Sequence, residues 1–139
     1  MAGSRPENQV PGRHLDVLEI LVENVSGGWA VTGSTGMALQ GMQLEVRDLD
    51  IQSNGQVTDR LAELLRNKGQ VLEDLRHVES EKMSSRLGSY ELMGVKVEVI
   101  GDVRKKIDGT WEETVDVTEN LKDVRVESRD ISVPVLRLE

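Results

Sequence analysis

Residues 28–53 read GWAVTGSTGMALQGMQLEVRDLDIQS, a stretch in which several local patterns follow one another. Residues 29–32 form a short apolar run of β-forming side chains that stops at Gly33 and Ser34. The next residues, 35–40, suit a short helix that the hydroxyl of Ser34 or of its neighbour can cap. This part of the sequence therefore predicts a strand, a tight glycine turn and a helix in immediate succession.

The end of the same stretch, residues 44–53, alternates apolar and polar side chains. In a strand, Leu49 and Ile51 would face one side of the sheet, whereas Asp48 and Asp50 would face the other. The two aspartate Cα atoms would lie roughly 6.5 Å apart, so that both carboxylates could reach the same divalent ions. Taken alone, however, an Asp-x-Asp strand is more often the solvated face of a sheet edge.

Amphipathic helices are predicted on both sides of this stretch. Residues 14–25 carry apolar side chains at spacings of three and four and end before a pair of glycines. Residues 58–67 show the same period and are also followed closely by a glycine. Farther along, residues 88–102 consist of two β-rich runs separated by a Met-Gly pair, which predicts a hairpin.

The second strand of this hairpin supplies a candidate third carboxylate. Val95, Val97 and Val99 would share the apolar face, which leaves Lys96 and Glu98 on the opposite face. Glu98 could then complete an oxygen-ligand set for divalent cations, and Lys96 could neutralise a phosphate. The same alternation is also what an ordinary solvated strand produces, and that reading stays open for both residues.

The two ends of the sequence are less patterned. We expect short additional strands near the C-terminus, with Pro134 suited only to an edge position; the alternating segments are 114–117, 124–126 and 133–138. Residues 1–12 contain two of the three prolines and no apolar period, so we expect a flexible segment there and a single domain over residues 13–139. Helices early in the chain and strands late in it indicate the α+β class.

The composition restricts the function. With a formal net charge of −8 and 2% aromatic residues, the chain lacks the clustered cations and stacking rings typical of nucleic-acid binding. It has no cysteine and two histidines, so any metal should be held by oxygen ligands. No apolar run approaches the roughly 18 residues of a membrane span, and the N-terminus lacks a signal-peptide pattern. We therefore expect a cytoplasmic location, no membrane partner and no extended nucleic-acid partner.

The order of these features resembles the nucleotidyltransferase superfamily, which includes DNA polymerase beta. Residues 28–41 look like its Gly-Ser segment, residues 47–51 look like its paired-aspartate strand, and residues 94–102 look like the strand that bears its third carboxylate. The resemblance covers most of residues 28–102. It implies a mixed β-sheet flanked by helices on one side.

The resemblance also implies roles for individual residues. Gly33 and Ser34 would contact the triphosphate of a nucleotide, Asp48 and Asp50 would bind two Mg²⁺ ions, and Glu98 would bind one ion and help to activate an acceptor hydroxyl. Two features depart from the superfamily pattern. Glu98 stands where an aspartate is common, and relatives generally continue into helices that hold the base or the acceptor, so a partner or a segment outside this sequence could supply that side.

Two functional hypotheses follow. The first is an Mg-dependent enzyme that moves a nucleoside monophosphate from an NTP to a hydroxyl acceptor. A small-molecule acceptor suits the acidic composition better than long nucleic acid does. The second is a non-catalytic or antitoxin-like module that keeps the fold and acts by binding a partner protein. Self-association as a homodimer is compatible with either hypothesis.

Overall fold

Three α-helices form close to where the sequence predicts them. In the computed structural model, which describes residues 9–138, they are α1 (Gly12–Asn24), α2 (Gly33–Leu39) and α3 (Gly55–Lys68). Each helix begins slightly earlier than predicted, because residues that precede the first periodic apolar side chain supply its first turn.

The chain joins the packed domain before α1. Val10 is 4% exposed and belongs to the hydrophobic core, and Pro11 occupies the N-cap position of α1. The predicted flexible segment, residues 1–12, is therefore already part of the fold at its end. Residues 1–8 lie outside the described part of the chain, where the flexible segment stays a prediction.

Eight strands in the described part of the chain form a mixed sheet. They are β1 (Trp29–Thr32), β2 (Leu49–Ser53), β3 (Gln70–Glu79), β4 (Met83–Leu92), β5 (Val95–Ile107), β6 (Thr110–Trp111), β7 (Leu121–Val126) and β8 (Ile131–Leu136). The strand order is β3-β4-β5-β2-β1-β8-β7, and β6 pairs with the end of β5. β2 is parallel to β5 and β1 is parallel to β8, whereas the other neighbours are antiparallel. Two short 3-10 helices, Val117–Asn120 and Glu127–Arg129, flank β7.

The core lies between one face of this sheet and the helices. Leu49 and Ile51 of β2 are fully buried, as are Val97 and Val99 of β5. They join one cluster with the buried side chains of the helices, among them Leu18, Leu21, Leu61, Leu65 and Leu39. The intervening residues of β2 and β5 therefore face away from the core. The α+β class and the mixed sheet flanked by helices are confirmed.

Some strand predictions need correction. β2 begins at Leu49 rather than at residue 44, because the backbone of residues 47 and 48 is hydrogen-bonded to the side chains of Ser34, His14 and Thr35 and not to a neighbouring strand. Pro134 lies in β8, which has strands on both sides, and not at an edge. Pairing between β8 and β1 is limited to Val31 with Val135, so the missing N–H of the proline is tolerated there.

The segments around the long hairpins also differ from expectation. β3 forms from QVLEDLRHVE, a charged segment in which only Leu75 is even half-buried, and sequence patterning did not predict it. The strand expected over residues 114–117 is absent, since that region is irregular and then enters the first 3-10 helix. Within residues 9–138, no helix is both long and apolar enough to span a membrane.

Candidate active site

Two of the three predicted carboxylates, Asp50 and Glu98, are neighbours on the open face of the sheet, and Asp48 lies near them. Asp50 and Glu98 are register partners in the parallel strands β2 and β5, and Thr32 stands opposite Asp50 on β1. Asp48 lies just before β2, close enough to raise the pKa of Asp50 through charge repulsion. The parallel pairing of β2 with β5, which no local sequence pattern encodes, is what makes Asp50 and Glu98 neighbours.

The surroundings of Asp50 disfavour its ionised form. Burial, followed by the repulsion of Glu98 and then of Asp48, raises the pKa of Asp50 from 3.8 to about 6, while Lys96 opposes the shift. Burial and the two neighbouring carboxylates thus both disfavour the ionised form of Asp50, and a cation bound nearby would favour it.

Gly33 closes over this cluster at the start of α2. It has φ of +65°, a conformation that L side chains rarely adopt. A Cβ atom at this position would collide with Oδ2 of Asp50. Glycine is therefore required both by the backbone and by the approach of the carboxylate, and the Gly-Ser turn and the carboxylates form one continuous site.

The residues after Gly33 hold the segment that carries Asp48. Ser34 Oγ accepts a hydrogen bond from the backbone N–H of Arg47 at 2.8 Å, and Thr35 Oγ1 donates to the carbonyl oxygen of Asp48 at 3.3 Å. His14 Nε2 contacts the carbonyl oxygen of Arg47 at 2.7 Å. Sequence reasoning missed His14 and Thr35, because both contacts join residues that are distant in the chain and belong to no recognisable motif.

Lys96 reaches the same cluster. Its Nζ lies 3.8 Å from Oδ2 of Asp48, with 46% of the lysine side chain exposed. It projects from β5 on the same face as Glu98, as the alternation predicted. An exposed lysine at this distance screens the carboxylates weakly and can still turn toward a bound anion.

Two cavities lie at the two ends of β1. A cavity of about 170 Å³ adjoins the glycine turn and is lined by Thr32, Gly33, Gln40, Asn120 and Arg137, among others. A larger cavity of about 380 Å³ lies at the opposite end of β1, beside Trp29. The smaller cavity lies next to Gly33, but its lining residues do not include Asp48, Asp50 or Glu98.

The donor chemistry of the cluster suits a hard cation. Carboxylate oxygens are the ligands that Mg²⁺ prefers, and a bound cation would offset the burial and the carboxylate repulsion that raise the pKa of Asp50. In their present rotamers, no three His, Asp or Glu side chains of residues 9–138 converge into a metal-coordinating group. The strand register places Asp50 and Glu98 side by side, whereas Asp48 lies in the irregular segment before β2.

This fold and turn define the nucleotidyltransferase class, as comparison with known proteins shows. The chain matches the crystal structure at 1.87 Å of a proposed nucleotidyltransferase from Thermotoga maritima with a TM-score of 0.81 and 34% sequence identity. The match covers 98% of this chain and 81% of the Thermotoga chain. Residues 15–139 match the family described as aminoglycoside-2''-adenylyltransferase, and the chain belongs to that family. No match was found among curated proteins.

Proposed function

We propose that this chain transfers a nucleoside monophosphate from an NTP to a hydroxyl group of a small molecule, with Mg²⁺ held by Asp48, Asp50 and Glu98. Nucleotidyl transfer itself is the chemistry of the class to which the chain belongs. The observation that carries the assignment of residues is the pairing of Asp50 with Glu98 beneath Gly33, with the pKa of Asp50 raised to about 6.

The proposed reaction is an in-line displacement at the α-phosphorus. The acceptor oxygen forms a bond to that phosphorus, the bond from the α-phosphorus to the bridging oxygen breaks, and pyrophosphate leaves with the bonding electron pair. Glu98 receives the proton of the acceptor hydroxyl in this proposal. Bound Mg²⁺ would neutralise the phosphate oxygens and position both reacting groups.

The remaining residues of the site would orient the nucleotide. The Ser34 hydroxyl accepts one hydrogen bond from Arg47, so its own hydrogen is available to a phosphate oxygen. Gly33 allows the triphosphate to approach the backbone, and Lys96 can turn from Asp48 toward a phosphate. Binding of this kind lowers the barrier mainly by positioning and charge neutralisation.

An aminoglycoside is the first acceptor to test. The family name specifies adenylyl transfer to the 2'' position of such a compound, so ATP is the matching donor. Aminoglycosides are polycationic sugars, and a net charge of −8 would attract them through long-range electrostatics. Extended nucleic acid would be repelled by the same charge. A cytoplasmic location stays a prediction.

The alternative is a module of this fold that has no catalytic role and binds a partner protein, as a homodimer or with another chain. One observation favours it: β3 is an edge strand of ten residues, nearly all exposed, with Val71, Leu72 and Val78 each more than a third exposed. An exposed edge strand of this length can pair with another chain.

Labelled ATP separates the two hypotheses. The full chain is incubated with Mg²⁺, α-labelled ATP and a panel of aminoglycosides, and labelled product and pyrophosphate are measured together. We expect equal amounts of both and an absolute requirement for the acceptor. Without transfer to any hydroxyl compound, and without ATP binding in the presence of Mg²⁺, the enzymatic proposal fails and the partner-binding module is left.

A further inference from the structure

The peptide that precedes Asp48 is held by side chains and not by the sheet. Residues 44–48 have no strand structure, so they lack the ladder hydrogen bonds that fix Asp50 and Glu98. Instead, the N–H of Arg47 donates to Ser34 Oγ at 2.8 Å, and the carbonyl oxygen of Arg47 accepts from the ring of His14 at 2.7 Å. The position of the Asp48 carboxylate therefore depends on these side-chain contacts.

The direction of the His14 contact follows from its chemistry. A carbonyl oxygen can only accept, so Nε2 of His14 must carry a hydrogen and donate it to Arg47. The other ring nitrogen, Nδ1, is buried and has no hydrogen-bond partner. Leaving a buried polar atom unpaired is unfavourable, so Nδ1 does not account for the orientation of the ring. The hydrogen bond from Nε2 to Arg47 does.

The first turns of α1, which carry His14, are held in place by contacts with Arg129. Arg129, at the end of the second 3-10 helix, forms ion pairs with Asp16 and Glu19 of α1 and donates to the carbonyl oxygen of Gly12. These contacts fix the first turns of α1 against the β7–β8 connection. His14 lies between them, so its ring is presented to Arg47 from an anchored helix.

We propose that His14 is a positioning residue that fixes the Arg47–Asp48 peptide and thereby sets the place of the Asp48 carboxylate in the site. The role given to Asp48 rests on the proposed function, whereas the fixing of the peptide does not. His14 acts through Arg47, and it has no contact with the three carboxylates themselves.

Two substitutions of matched polarity test the contact. His14→Gln places an amide nitrogen the same number of bonds from Cα as Nε2, whereas His14→Asn places it at the distance of Nδ1 and too short to reach Arg47. Amide hydrogen exchange is measured on the metal-free chain. We expect the Arg47 amide to exchange about tenfold faster in the Asn variant than in the wild type, with the Gln variant within about twofold. Equal rates in the two variants would overturn the proposal.

The link to the site is tested with Mn²⁺ and ATP. The Asn variant should bind Mn²⁺ about tenfold more weakly than the wild type, and its lower kcat should recover at saturating Mg²⁺, because only the placement of one ligand has changed. A structural defect would lower the yield of folded protein and would not be corrected by metal. If the wild type binds no Mn²⁺ and transfers nothing, the proposed function falls, and hydrogen exchange alone then decides whether His14 holds the peptide.

Discussion

Two charged clusters of this molecule are built from similar residues and differ in how their charges are matched. Around Arg86, the guanidinium donates to Asp59 and Asp102 at 2.8 Å each and to the carbonyl oxygen of Gly55 at 3.0 Å. The hydrogen bond from Arg86 lowers the pKa of Asp59. In the second cluster, Lys96 lies 3.8 Å from Asp48, and burial together with the repulsion of Glu98 and Asp48 raises the pKa of Asp50 to about 6.

The difference separates a stabilising ion-pair network from a candidate functional site. Carboxylates that each contact a guanidinium stabilise the fold and need no ligand. Carboxylates crowded without enough partners destabilise it, and such an arrangement is expected where a ligand supplies the missing charge. The following predictions test whether this contrast holds, beginning with the largest expected effect.

Removing one carboxylate from the second cluster should nearly abolish transfer. Asp50→Asn and Asp48→Asn are each expected to lower kcat/KM about a thousandfold, because a neutral amide cannot stabilise the cations that neutralise the phosphates. Asp102→Asn, assayed well below its unfolding temperature, should remain within about threefold of the wild type. Nucleotide transfer to an aminoglycoside is the measurement, and comparable losses in all three variants would remove the distinction between the clusters.

Breaking the Arg86 network should affect stability and not metal binding. Arg86→Gln leaves Asp102 without its charged partner and the Gly55 carbonyl without a donor, at a cost of about 2 kcal/mol of unfolding free energy. Thermal unfolding of the metal-free chain measures this, with the wild type as reference. A folded Arg86→Gln variant that no longer binds Mn²⁺ would show that the two clusters are not independent.

Burial and the neighbouring carboxylates disfavour the charge on Asp50, so the wild type should be less stable than Asp50→Asn at neutral pH without metal. The folded-state pKa of about 6 lies above the ordinary value of 3.8, so the folded state binds protons more tightly and wild-type stability falls as pH rises between these values. After allowance for solvent screening, the Asn variant should gain on the order of 1 kcal/mol at pH 7 and nothing at pH 3.

Asp59→Asn is the matched control for that pH dependence. Because Arg86 lowers the pKa of Asp59, the ionised form is favoured in the folded state, and its contribution is present above the ordinary pKa and lost as pH falls. Urea unfolding from pH 3 to pH 8 should therefore give opposite trends for Asp50→Asn and Asp59→Asn. Parallel trends would contradict the comparison.

The smallest expected effect concerns Lys96. Lys96 is about half exposed, and its ion pair with Asp48 is long, at 3.8 Å. Lys96→Gln should therefore weaken ATP binding about fivefold and leave stability unchanged. Lys122→Gln, on the exposed surface of β7, provides the control and should bind ATP as the wild type does. A fluorescent ATP analogue with Mg²⁺ measures both. Equal affinity in the two variants would assign Lys96 to the solvated surface.

The sequence predicted the structure correctly where a short-range pattern or motif determines it. Leu49 and Ile51 alternate with polar residues and are buried, and Glu98 faces away from the valines as the alternation of β5 requires. The glycine turn also lies where the pattern GSTG placed it. In each case, one residue and its near neighbours determine the outcome, so no knowledge of distant contacts was needed.

Distant pairing explains what the sequence did not reveal. That Asp50 lies beside Glu98 depends on β2 and β5 being parallel neighbours, although the two residues are 48 positions apart in the sequence. The contact from His14 to Arg47 joins α1 to an irregular segment, and no periodicity marks either residue. Sequence patterning did not predict β3, because β3 is an exposed edge strand whose charged side chains need not alternate with apolar ones.

Calorimetric titration of Mn²⁺ into the wild type, Asp50→Asn and Asp102→Asn at pH 7.5 tests the account most directly. We expect the wild type and Asp102→Asn to bind Mn²⁺ with equal affinity, and Asp50→Asn to bind at least about tenfold more weakly, because Asp50 belongs to the cluster with unmatched charge. Equal binding by all three proteins, or no binding by the wild type in the presence of ATP, would contradict the assignment of these carboxylates to a metal-dependent site.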